Sequence, residues 1–244
     1  MSFINATWEQ VTLCIRRPRR LLNLFSRQKC AGLWRYFQSA GIVKNRWEEN
    51  DGVLSRSYRS YAEYLSHQKS GLEYVDFSEY DRLFAKTLRE RLSASSYVVP
   101  GASVLCIAAR VGSEVRAFLD LGCFAVGIDI NNRRDSPYVL HGDFHQLVFP
   151  DHSVDILYTN SLDHSFDLGR VLTEVQRVLK SSGILIVELA IGSEHGMSAG
   201  FYEACWWKDP SSVLKLIEER GFEKLGSVPF DIPWPGECFS LRAP

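Results

Sequence analysis

The chain has 244 residues, of which 45% are hydrophobic and 23% charged, a balance that suits a folded globular protein and excludes a disordered or fibrous one. Its six cysteines (14, 30, 106, 123, 205 and 238) form no C-x-x-C pair and no Cys/His ligand spacing, which argues against a structural zinc site or a disulfide framework and for a reducing compartment. The formal net charge of -1 conceals an asymmetry: residues 1–46 carry nine arginines and lysines against Glu9 alone, for +8, so the remainder carries -9.

No apolar run reaches the roughly 18 to 20 residues needed to span a bilayer, and "MSFINATWEQ" lacks a basic region followed by an apolar stretch, so a cytoplasmic protein is expected. Within the basic region, "LCIRRPRRLLNLF" interleaves arginines with Leu13, Ile15, Leu21, Leu22, Leu24 and Phe25. Two readings stand side by side: a peripheral contact of residues 13–35 with an anionic membrane at its inner face, or a solvated arm packed on the rest of the protein. No RNA-binding module accompanies the charge, and nucleic acid is not an expected partner. A change of character near residue 75 divides the chain into a basic, aromatic-rich, helical N-terminal extension (1–75) and a domain of alternating strands and helices (76–244).

In "FSEYDRLFAKTLRERL" the apolar spacing predicts a helix over 77–92 that leads into a sheet. Short apolar runs predict strands at 103–107, 124–129, 137–140, 154–159 and 183–189, with helices at 113–121 and 167–179 between them. The second helix carries the stripe Leu168, Val171, Leu172, Val175, Val178 and Leu179, and "KSSG" is expected to end it through a left-handed Gly183. After an irregular stretch (191–208), "DPSS" opens a helix over 210–220. Strands at 223–229 and 237–242, joined by "DIPWPGE", then read as an antiparallel pair at a sheet edge. The order predicts an α/β fold, a doubly wound, mostly parallel seven-stranded sheet.

In such a sheet a ligand sits at the carboxyl ends of the strands, where the winding reverses. The loop after residue 107 is that place, with Gly112 at the helix entry and Asp129 closing the next strand, where an acid can accept from both hydroxyls of a ribose. In "HGDFHQLVFPDHSVDILYTNSLDH" a short strand ends in Gly142 and Asp143, an acid suited to an exocyclic amine, beside the apolar Phe144 and Leu147. His141 and His145 stand four apart but off a helix and without companions, and no metal site is read from them.

These segments together resemble the cofactor-binding core of the class I S-adenosylmethionine-dependent methyltransferases, over residues 102–190 and in the terminal hairpin. The resemblance implies a Rossmann-like methyltransferase fold, S-adenosylmethionine as cofactor and a small-molecule or glycan acceptor. It implies that Cys106, Ala108, Arg110, Gly112, Glu114, Asp129, Ile130, Gly142, Asp143, Phe144 and Asn160 surround the cofactor. The common first loop of the family has an acid and three glycines. Here Cys106 replaces the acid, Ala108 and Arg110 replace two glycines, and "CIAARVGSEV" is similar to a less common variant. In it, Glu114 takes over the missing acid's role toward the ammonium, or orients Arg110 toward the carboxylate.

"NSLDHSFD" lies, by the same resemblance, beside methyl donor and acceptor, so Asp163 and His164 are the candidate catalytic residues, with His164 either a base or a structural hydrogen-bonder. Trp206, Trp207, Tyr202 and His195 lie where acceptor lids form in this fold. The reading is O-methylation of a sugar, glycan or glycolipid precursor. A catalytically silent methyltransferase-like scaffold stays open because the loop is poor in glycine, whereas a nicotinamide-dependent oxidoreductase is disfavoured by the absence of a dinucleotide fingerprint.

Overall fold

The computed structural model describes residues 46–72, 78–131 and 136–244. The basic segment 13–35 therefore lies outside the described residues, and so does most of the extension.

The elements, in chain order, are β1 (Trp47–Asn50), β2 (Val53–Arg56), α1 (Tyr61–Leu72), α2 (Ser78–Ser93), β3 (Ser103–Ile107), α3 (Ser113–Asp120), β4 (Phe124–Asp129), β5 (Val139–His141), β6 (Val154–Thr159), α4 (Leu168–Val178), β7 (Leu179–Ala190), β8 (Cys205–Trp207), α5 (Pro210–Glu218), β9 (Glu223–Phe230) and β10 (Gly236–Arg242). One sheet has seven strands in the order β5-β4-β3-β6-β7-β10-β9. Strands β5 to β7 of that order pair in parallel, and β10 runs antiparallel to both β7 and β9. The terminal pair is thus a hairpin inserted backwards, with β9 at the edge. The chain builds β3, β4 and β5 to one side and then returns to place β6 and β7 on the other, so the winding reverses between β3 and β6.

The alternation of strand side chains explains why both faces are covered. On β3, Leu105 and Ile107 point into an apolar cluster with α4 and α5, while Val104 and Cys106 point into another with α2 and α3. Helix α4 is held on by Leu168, Val171, Leu172, Val175 and Val178, all buried, and it starts on Asp167, whose side chain accepts from the Arg170 amide.

The end of α4 differs from expectation. Strand β7 begins at Leu179 directly after the helix, and the residue in the left-handed region is Ser182 (φ 62°), not Gly183. Gly183 answers a need for space: a Cβ there would stand 2.8 Å from the Lys180 carbonyl oxygen and 3.1 Å from that of Asp155. In the irregular stretch, β8 pairs antiparallel with β2, and β1, β2 and β8 form a second, three-stranded sheet. Among the described residues no helix is long and apolar enough to cross a membrane.

A second glycine, Gly127 of β4, shapes the loop after β3. Ala109 is fully buried, and its methyl lies against Gly127 of the neighbouring strand, where a Cβ would come within 2.6 Å of the Ala109 Cβ and 2.8 Å of Val115 Cγ2. Gly127→Ala should therefore destabilise the protein by about 1 to 3 kcal/mol through overpacking, read as a lower midpoint in urea. Adding Ala109→Gly should recover part of that loss, and strictly additive effects would show that the two positions do not compete for the same space.

Candidate functional site

The carboxyl ends of β3, β4 and β6 open into a cavity of about 460 Å³, within the range that small-molecule sites occupy. It is closed by α1 and α2 on one side, and by the segments after β7 and between β9 and β10 on the other.

The loop 108–112 forms its floor. Ala108 (φ 58°) and Arg110 (φ 43°) both adopt the left-handed backbone that glycine would take at little cost, as does Gly112 (φ 80°). The conformations of a glycine-rich loop are thus kept with side chains in place. Asp129 holds them: its Oδ2 accepts from the Arg110 amide at 2.9 Å and its Oδ1 from the Asn131 amide at 2.6 Å. The carboxyl is 8% exposed, and burial raises its pKa while these amides and the nearby cations oppose the rise.

Arg110 lines the cavity, but its guanidinium is engaged by α2, with Nη2 at 2.7 Å from Asp81 and its centre 5.1 Å from the Tyr80 ring. Glu114, in the first turn of α3, also lines the cavity and is 5% exposed. Burial pushes its carboxyl up to about 8, against the helix amide and the Arg110 charge that favour ionisation.

Of the residues read from the sequence as cofactor-binding or catalytic, Ala108, Arg110, Glu114, Asp129, Ile130, Gly142, Phe144, Asn160, Asp163 and His164 line this one cavity. Three do not. Cys106 is fully buried in the apolar layer under α2 and α3, Gly112 packs beneath the loop against Val139, and Asp143 is turned away. Asp143 accepts from the His145 amide (2.9 Å), the His145 ring (2.8 Å) and the Tyr61 hydroxyl. Burial alone would raise its pKa, but these donors outweigh it and hold the carboxyl at about 2. His145 is spent in the same network: its Nε2 accepts from the amides of Phe166 and Asp167, so Nδ1 carries the proton toward Asp143. Among the described residues no group of His, Cys, Asp and Glu could hold a metal ion.

The far side of the cavity is made by residues that sequence reasoning did not pick out. Tyr64 and Gln68 of α1 reach it with Glu188, Glu203 and Trp234. Gln68 donates to the Tyr202 carbonyl (2.8 Å) and faces His164 Nδ1 with its oxygen (3.1 Å), while the Tyr64 hydroxyl donates to the His164 carbonyl (3.0 Å). Arg56, 4% exposed, gathers the carbonyls of Gly200, Phe201 and Glu203 and so shapes the segment that presents Tyr202. Trp206, Trp207 and Tyr202 line the cavity as well, whereas His195 pairs with Asp209 outside it. On α1 the only available signal was Tyr64, His67 and Gln68 at i, i+3 and i+4, polar groups on a buried helix face.

Five carboxylates line the cavity (Glu114, Asp129, Asp163, Glu188 and Glu203) against one guanidinium, that of Arg110. Glu188 is neutralised by a buried ion pair with Arg91 (2.8 Å). Asp163 is pushed up to about 6 by burial, with His164 opposing and Glu203 reinforcing the rise, and its Oδ1 is buried without a partner among the described residues. Such a cavity holds more carboxylates than cations. A ligand with a sulfonium and an ammonium cation answers that excess of negative charge, and its two ribose hydroxyls can donate to a carboxylate, so the residues present fit S-adenosylmethionine.

Comparison with known proteins agrees with this geometry. Residues 105–187 match the family described as "Methyltransferase domain". A sterol 24-C-methyltransferase of Gibberella zeae is 26% identical over 196 residues, covering 68% of this chain and 51% of that protein, so the chain spans about half the length of this curated relative. Among solved structures, the putative methyltransferase bound to the Trm112 activator of Haloferax volcanii superimposes with a TM-score of 0.54 at 18% identity (77% of this chain, 99% of that one). An S-adenosylmethionine-dependent methyltransferase of Aquifex aeolicus gives 0.53 at 14% (69% and 94%). These structures share the fold.

The raised pKa of Glu114 has a measurable sign. Its folded value, about 8, exceeds the ordinary 4.5, so between these values the native protein keeps a proton that the unfolded chain has lost, and stability falls as pH rises through that window. Glu114→Gln, which mimics the protonated acid, should leave ligand-free stability unchanged near pH 4 and increase it above pH 8 by on the order of 5 kcal/mol. Thermal unfolding at pH 4.5, 6.5 and 8.5 reads this, and an equal effect at all three values would mean that Glu114 is ionised throughout.

Proposed function

We propose that this chain, which carries a class I S-adenosylmethionine-dependent methyltransferase domain, moves the cofactor's methyl group to a hydroxyl of a small-molecule acceptor, and that the acceptor is a sugar, free or on a glycan or glycolipid precursor. The observation that carries the reading is the acidic cavity at the reversal point of the sheet, which Asp129 lines and which joins the loop residues Ala108, Arg110 and Glu114 to Asp163 and His164.

S-adenosylmethionine, when bound, supplies a methyl already activated by a positively charged sulfur, which leaves the protein to align the partners and exclude water. In this reading Asp129 accepts the ribose hydroxyls with the lone pairs its two amide bonds leave free. Ile130, Gly142 and Phe144 form the apolar surface for the purine, with Asn160 beside it. Ala108, Arg110 and Glu114 receive the amino-acid end, Glu114 giving up its proton as the ammonium arrives. The extra acid and the half-buried guanidinium are the chain's substitute for a glycine-rich loop.

On the acceptor side His164 takes the hydroxyl proton at Nε2 as the oxygen gains the methyl group. Its Nδ1 faces two acceptors, the Gln68 and Tyr202 oxygens, so in the neutral ring the lone pair is on Nε2, which has no partner among the described residues. Asp163, beside it, supports the imidazolium so formed. The carboxylates of Asp163 and Glu203 suit hydroxyl donors, and the faces of Trp206 and Trp234 suit a sugar ring. That polarity also separates this chain's acceptor from the sterol carbon in the name of the Gibberella protein. We place the enzyme at an inner membrane face through its basic segment 13–35, which would bring it to lipid-linked precursors; the +8 charge of residues 1–46 supports this.

Incubation with S-adenosylmethionine labelled in its methyl group and fractionated cell extract should label a carbohydrate-containing fraction. Folded protein that neither binds the cofactor in a calorimeter nor labels any fraction would establish the silent scaffold instead. Asp129→Asn should weaken cofactor binding more than tenfold, about 1.4 kcal/mol, because a charge-assisted bidentate contact is lost; unchanged affinity removes Asp129 from the site. His164→Asn should keep cofactor affinity and lower turnover by about 100-fold or more.

A further inference from the structure

We infer that Gln68 is a positioning residue: its side-chain amide holds the His164 imidazole as the Nδ1–H tautomer, which keeps the basic lone pair on Nε2. The inference rests on reading His164 as the base, and it brings a residue of α1, outside the matched domain 105–187, into that reaction.

The orientation of the amide follows from its other contact. The nitrogen of Gln68 lies 2.8 Å from the Tyr202 carbonyl oxygen, and a carbonyl can receive only the NH2 end. The oxygen of Gln68 must then be the end that faces His164 Nδ1, at 3.1 Å. The Tyr202 carbonyl itself lies 3.3 Å from the same ring nitrogen. Two acceptors therefore converge on Nδ1, which must donate. A neutral imidazole has one N–H, and the bond made at one nitrogen decides what the other offers.

The clamp is built to stay closed. Gln68 is 8% exposed and sits one turn after Tyr64, whose hydroxyl pins the His164 backbone at 3.0 Å. The Tyr202 carbonyl cannot drift, because Arg56 binds the carbonyls on both sides of it. If the ring took the Nε2–H tautomer, Nδ1 would bring a lone pair against two oxygens, and the group facing the acceptor hydroxyl would be a donor that cannot take its proton. Catalysis by a histidine base typically contributes about 100- to 10,000-fold, and this contribution depends on the tautomer.

The titratable groups that act on His164 are Asp163 next to it, Asp129 from the end of β4 and His67 beside Gln68 on α1, with Glu203 acting through Asp163. All remain when Gln68 alone is changed. The test is long-range ¹⁵N–¹H NMR of the labelled full chain, with the His164 signals identified by their loss in His164→Asn. At a pH where the ring is neutral, the wild type should show the proton on Nδ1. Gln68→Glu should retain that tautomer and raise the His164 midpoint by about one unit or more, since a carboxylate favours the imidazolium. Gln68→Leu should lose the preference and show mixed tautomers. A wild-type ring protonated on Nε2, a Gln68→Glu midpoint unchanged, or a folded Gln68→Leu protein with an unaltered tautomer each overturns the assignment. Full turnover in His164→Asn with the tautomers as expected would remove the base and leave the clamp standing, which separates the two failures.

Discussion

The structure turns on the carboxylate of Asp129. By accepting from the amides of Arg110 and Asn131 it ties the loop after β3 to the end of β4, and it does so from a nearly buried position where an unpartnered charge would cost several kcal/mol. Each oxygen keeps a lone pair directed away from the backbone it holds. The group that shapes the loop is therefore the group that can meet the ligand, and the backbone strain at Ala108 and Arg110 persists because Asp129 and the packing of Ala109 on Gly127 leave the chain no relaxed alternative.

From that anchor the electrostatics of the cavity follow. The strand ends and the loop bring acids together faster than they bring cations, and two of the arginines nearby are already engaged, Arg91 by Glu188 and Arg110 by Asp81. The raised pKa values of Glu114 and Asp163 are the consequence of burying the remaining acids without a counter-charge. Such a site favours a ligand that is cationic and rich in donors, and it disfavours anionic acceptors. In the proposed reading the arriving ammonium supplies the counter-charge that Glu114 lacks, and Glu114 gives up its proton on binding.

The wall proposed to face the acceptor has a different origin. It comes from α1, from the segment held by Arg56 and from β8, and β8 is joined to β2 in the second sheet. Residues 46–72 thus stand against residues 200–207, and the histidine between them is fixed from both. In the proposed reading, elements outside the matched residues 105–187 join Asp163 and His164 in facing the acceptor. A fold shared with other proteins can in this way carry a site whose wall is built by segments outside the matched residues.

Much of the sheet was legible in the residues. Short β-branched runs alternating with helical stripes predict β3 to β7 and α3 to α5 within a few positions, because burial on both faces leaves a local pattern. Asp129 was legible as the acid that ends β4 at the carboxyl edge, whereas Glu114, in the first turn of α3, and His164, in the turn after β6, were reached through the family resemblance. The left-handed Ser182 in place of Gly183 was not, since sequence marks where a glycine sits but not whether it supplies torsional freedom or room. Nor were the roles of Asp143, turned to His145 and Tyr61, or of Arg110, turned to Asp81. The sequence by itself determined the order of the elements and the acids at the strand ends, because those follow from periodicity and polarity over a few neighbouring residues. Only the tertiary structure decided which donors those acids meet, that β2 pairs with β8, and that Gln68 reaches His164, because each depends on groups brought together from distant parts of the chain.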